Sequence, residues 1–206
     1  MAAGADDPVI ETHWSDAASG LAWVDLRVDD ELQRSRIAAL PEATASPAMA
    51  RALALLNAPR GLLMTTKCDR WSMSEAELVE LAEALDAPLA VCGCGSYIDV
   101  LMVHAIPLAD FLLHEEWART AARRCAALNV PDGRVEMVVR PARKDGMWGF
   151  GMSVYCYVCG SDEAAAGRSW AEALEQTIPV VIAAAEESFV SPEELGSGDH
   201  PDRCER

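Results

Sequence analysis

The sequence predicts an α+β fold: a mainly antiparallel sheet of about five strands with helices packed on it as a two-layer sandwich. Three observations carry that expectation. Apolar runs with period-two alternation come in pairs joined by short turns, the pattern of antiparallel hairpins. Longer segments carry apolar stripes at helical spacing, with capping residues at their starts. The 206 residues are 51% hydrophobic and 24% charged, the balance of a chain that folds around its own core.

Each element follows from local chemistry. From Leu21 to Val28, the apolar Ala22, Val24, Leu26 and Val28 alternate with Trp23, Asp25 and Arg27, which predicts a half-buried strand. Asp29 and Asp30 cap a helix running to about Leu40, and a loop spans Pro41 to Ala45. Ser46-Pro47 starts the next helix, which ends near Asn57. Leu62 to Met64 lead into a polar connecting loop, Thr65 to Trp71. Ser74 and Glu77 have the spacing of a capping box and open a helix through Leu85.

Leu89 to Val103 reads as two strands joined by the Gly-rich turn Cys92 to Ser96. A helix starts near Pro107 and reaches Leu128. Val135–Arg140 and Trp148–Cys159 form a hairpin around Arg143-Lys144-Asp145-Gly146. A final helix places Trp170, Leu174, Ile178, Val181 and Phe189 on one face, with Pro179 inside it. Residues 1–12 are expected to be flexible, 13–190 a single domain, and 191–206 a disordered acidic tail.

The formal charge of −16 repels phosphate backbones and anionic membranes, so non-specific nucleic-acid binding and membrane binding are not expected. It suits a basic protein partner, or simply solubility as a monomer or homodimer. No basic segment with an apolar core stands at the start, and no apolar stretch nears the ~18 residues of a membrane span. Seven cysteines, an odd number without regular spacing, fit a reducing compartment. A cytoplasmic location is expected.

Two groups of residues could carry chemistry. Thr65, Thr66, Lys67, Asp69, Arg70 and Trp71 put hydroxyls, cations and a carboxylate in one short run, able to hold an anionic ligand. Lys67 matters because only two of the 17 basic residues are lysines, and a lysine can be tuned to lose its proton. Asp99 is the only charge in the apolar run Tyr97 to Val103, where an ionised carboxylate needs a partner. Lys67 or Arg70 could supply it. The plainer reading makes the loop a strand end and Asp99 a solvent-facing residue.

Other signals are weaker. Cys156 and Cys159 are three apart on a strand and point to opposite faces, so with Cys92 and Cys94 they make no metal site. No metal and no cofactor is expected. Glu115-Glu116 and Glu186-Glu187 read as solvated helix faces. Gly149, Gly151 and Ser153 leave one strand face nearly bare, open to a ligand, a partner or the final helix. Trp148 beside them is a candidate partner anchor.

No catalytic motif is present, so the sequence favours a non-catalytic protein-binding module of the inhibitor, immunity or regulatory kind. The alternative is an enzyme or sensor for a small anionic molecule, using Lys67, Asp69, Arg70 and Asp99.

Overall fold

Several helices in this chain begin where a side chain takes up free backbone N–H groups. In the computed structural model, which describes residues 9–18, 20–128, 130 and 132–189, three short strands come first: β1 (Ile10–Glu11), β2 (Ser15–Asp16) and β3 (Leu21–Ala22). Asp29 then caps α1 (Asp30–Ala38) through the Leu32 N–H, and Ser46 caps α3 (Pro47–Leu56) through the Met49 N–H. Between them lies α2 (Pro41–Ala45), a helix where a loop was expected. Pro41 in its first turn has no N–H to leave unpaired.

The chain continues through β4 (Leu63–Ser72), α4 (Glu75–Ala84), β5 (Cys92–Met102), α5 (Ala105–Ala109), α6 (Phe111–Cys125), β6 (Gly133–Lys144), β7 (Met147–Gly160) and α7 (Glu163–Phe189). The Ser74–Glu77 capping box is fully formed at α4. The single helix expected from Pro107 is two, because Asp110 turns out of helical backbone and caps α6 with its own side chain.

The sheet order is β1-β6-β7-β5-β4. The sheet is mixed rather than mainly antiparallel: β1 joins β6 in parallel, while the other neighbours pair antiparallel. It also curls until β1 approaches β4 and β5, nearly a barrel rather than a flat layer under helices. β2 and β3 form a separate small hairpin. The strand expected over Leu21–Val28 shrinks to β3. Beyond it the chain is held by side chains instead, with Gln33 Nε2 donating to the Leu26 carbonyl at 2.9 Å and Arg27 to the Pro59 carbonyl at 2.9 Å.

β5 is one strand, not two around a turn. Its glycines make room for rings and chains rather than for a bend: a Cβ on Gly95 would lie 2.6 Å from the Trp71 ring, and one on Gly93 would meet Met73 Sδ at 2.5 Å. Alternate β5 residues divide between two faces. Ser96, Ile98, Val100 and Met102 lie on the face of α7, where Trp170 Nε1 donates to Ser96 Oγ at 2.9 Å. Tyr97 and Asp99 lie on the other, opposite Tyr155 and Ser153 of β7.

The bare strip of β7 is filled, though not by the final helix. A Cβ on Gly149 would lie 2.3 Å from the Leu108 carbonyl oxygen of α5, and one on Gly151 would meet Leu101 and Ile10. Ile10 and Glu11, within the stretch expected to be flexible, form β1, and Ile10 is buried. The expected tail from residue 191 lies outside the described residues. Among the described residues no helix is long and apolar enough to cross a membrane.

Candidate functional site

The polar run that reads as a loop is strand β4, and its polarity coincides with an irregularity. Thr65 pairs with Val100 and Cys68 with Ile98, so two residues, Thr66 and Lys67, stand opposite one, Asp99. This is a β-bulge, a device that re-aims side chains and strengthens local twist. Buried groups fix it from both sides. Asn57, at the end of α3, donates from Nδ2 to Thr65 Oγ1 at 2.8 Å and accepts from the Thr65 N–H at 2.9 Å. The Trp14 indole donates to the Thr66 carbonyl at 2.9 Å and the Trp23 indole to the Thr65 carbonyl at 3.3 Å.

Beside the bulge opens a cleft of about 810 Å³, a volume typical of small-molecule sites. One wall is β4 from Thr65 to Asp69. The small hairpin and the segment after it supply Trp14, Asp16, Leu21 and Val24, and α2 supplies Pro41 and Glu42. Leu26 and Leu53 line its apolar depth, with Tyr97 from β5. Lys67 Nζ sits 5.4 Å from the centre of the Trp14 ring.

Four of the predicted residues, Thr65, Thr66, Lys67 and Asp69, thus share this cleft. Asp99 lies directly behind the bulge, buried, accepting a 2.5 Å hydrogen bond from Ser153 Oγ. The plainer reading of a solvent-facing Asp99 is therefore set aside. Arg70 does not join them. Strand alternation turns it to the helix side, where its guanidinium stacks 4.6 Å from the Trp170 ring and Nε donates to Cys94 Sγ at 3.2 Å. Arg70 and Trp71 line a second cavity of about 770 Å³ between β4, β5 and α4, and the Trp71 ring lies over Gly95.

The field in the first cleft is negative. Among the described residues, Glu11, Asp16, Glu42 and Asp69 line it against one cation, Lys67. Cys68 registers that field: burial, then Glu42, Asp69 and Asp99, hold its thiol far above the usual range, so it is no nucleophile at neutral pH. Burial, then Asp99 and Asp69, likewise push the Tyr97 phenol above its ordinary value. Glu11 is partly neutralised by Arg143 at 2.6 Å.

The other candidates resolve as follows. Cys156 is in the core, with burial pushing its thiol up to about 12, whereas Cys159 lies on the opposite face beside the Asp132 carbonyl. Among the described residues no three His, Cys, Asp or Glu side chains gather as a metal site would need. Glu115 and Glu187 make exposed ion pairs with Arg119 and Arg124. Trp148 is 61% exposed at the β6–β7 hairpin. No local pattern marks Trp14, Asp16 or Glu42 as site residues, since only the folded path of residues 11–69 brings them to β4. Comparison with family models, curated proteins and solved structures finds no match to this chain.

Proposed function

We propose that this protein is a non-catalytic protein-binding module of the cytoplasm, a monomer or homodimer that docks a basic partner at the Trp148 end of its sheet. The observation that supports this reading is the apolar surface left in solvent at the β6–β7 hairpin, Trp148 (61% exposed) and Met147, with Phe111 exposed at the start of α6. Met147 and Trp148 are adjacent at the start of β7, and the Phe111 ring meets Phe150, two residues along the same strand face from Trp148, at 5.1 Å. Single exposed apolar residues are ordinary, but a cluster with a tryptophan has the makings of an interface core. Arg143 lies 5.9 Å from the centre of the Trp148 ring and Asp145 is paired with Lys144, so the charge that would steer a basic partner is the chain's overall −16 rather than a local acidic rim.

The enzyme or sensor reading asks Lys67, Asp69, Arg70 and Asp99 to converge on one anion. Arg70 stacked on Trp170, and the acidic lining around Lys67, support it less. Affinity purification from the native cell, with wild type and Trp148→Ala side by side, tests the binding reading. The expected partner is retained by wild type at low salt, released at high salt and missed by the variant. Equal recovery by both chains contradicts it.

A further inference from the structure

We propose that the cleft beside the β4 bulge is a binding site for a small organic cation, an ammonium or guanidinium carried on an apolar or aromatic body. The site is separate from the Trp148 end and does not depend on the partner reading.

The volume, about 810 Å³, holds a molecule rather than an ion. Its walls divide the ligand into two parts. Leu26 and Leu53 line the depth, while Leu21 (45% exposed) and Val24 (37%) leave apolar surface in solvent at the cleft. Such surface is covered favourably by an apolar body. Tyr97 adds an aromatic side chain, while the Trp14 ring is already met by Lys67 Nζ at 5.4 Å.

The charge of the head group follows from the acids. Glu42 and Asp69 line the cleft close enough to Cys68 to act on its thiol, and Asp16 lies across from them on β2. Among the described lining residues these acids outnumber the cation Lys67, so an anion would have to enter against a net negative charge, whereas a cation replaces its water with carboxylate oxygens.

An independent sign is Thr66. The residue is only 7% exposed, lines the cleft, and its Oγ1 is buried with no hydrogen-bond partner among the described residues. Buried hydroxyls are almost always satisfied, and exceptions call for an explanation. The bulge that sets Thr66 opposite Asp99 is held by Asn57 and two indoles, so the hydroxyl is kept in place rather than free to turn away with its strand. A ligand N–H group donating to Oγ1 satisfies it.

The test is a titration of the full chain with three probes of one shape: phenethylammonium, hydrocinnamate and phenethyl alcohol. The indole N–H resonances of Trp14 and Trp23 report on the cleft, since both are tied to the bulge. Phenethylammonium is expected to perturb them at a concentration about tenfold or more below that required by either other probe. Glu42→Gln and Thr66→Val are each expected to weaken it several-fold. Three results overturn the proposal: no perturbation by any probe, binding without preference for the ammonium, or undiminished ammonium binding in both variants.

Discussion

A threonine hydroxyl buried without a partner costs about 1–3 kcal/mol against its solvated state, and Thr66 carries such a hydroxyl beside the cleft. Thr66→Val keeps the branched shape and removes the oxygen. It is therefore expected to raise the stability of the empty protein by about 1 kcal/mol in urea unfolding, and a loss of stability would contradict the assignment. His114 makes the opposite kind of prediction. It is fully buried among Trp117, Phe150 and Phe189, with Nδ1 bonded to the Asp110 carbonyl at 2.8 Å. Burial holds its pKa below the ordinary value, against the smaller opposing pull of Asp110. As pH falls below about 6.5 the unfolded chain takes up this proton before the folded one does. The stability His114 contributes is thus whole above about pH 6.5 and is lost on acidification toward its lower folded pKa. Wild type should lose more stability than His114→Gln between about pH 7 and about pH 5, measured by urea midpoints. Equal losses would place the imidazole in contact with water.

Glycines separate contact from conformation at the scale of an element. A methyl at Gly149 runs into the backbone oxygen of Leu108 at 2.3 Å, and neither strand nor α5 can yield without moving whole. Gly149→Ala should cost about 2 kcal/mol or more and loosen α5. Gly167, inside α7, meets only Arg70 Nη2 at 3.6 Å. Gly167→Ala should stabilise the protein by about 0.5–1 kcal/mol through helix propensity alone. Both are read by thermal or urea unfolding, and a reversed order would undo the packing described for α5. What could be read in advance at this scale was what is local. Ser46-Pro47, the Ser74–Glu77 box and the Asp145-Gly146 turn act within a few residues of themselves, so α3, α4 and the β6–β7 hairpin were legible. β4 was not, because Thr65 to Asp69 interrupt its alternation at the bulge. Its strand character comes from pairing with β5, some thirty residues later. The Gly-rich start of β5 looked like a turn for a related reason: its glycines answer to Trp71 and Met73, which only the folded sheet brings near.

For the whole molecule, strand and helix periodicity implied the α+β class and composition the acidity, but neither carried the topology. The parallel pairing of β1 with β6 joins residues at opposite ends of the chain, and no periodicity encodes it. Five of the predicted residues meet at the bulge, four lining the cleft and Asp99 behind it, because β4 and β5 are neighbours. Arg70 is lost to the far face by the same alternation that makes β4 a strand. The charge of −16 is a property of the whole, and its effect belongs to association. Binding to a basic partner should weaken steeply with added salt while the fold does not. The measurement that bears most directly on the binding reading is the affinity of the captured partner for three chains in low salt: wild type, Trp148→Ala and Glu42→Gln. The account predicts a loss of about 2 kcal/mol for Trp148→Ala, the scale of an anchoring tryptophan, with Glu42→Gln close to wild type. A partner that binds Trp148→Ala as tightly as wild type would contradict it.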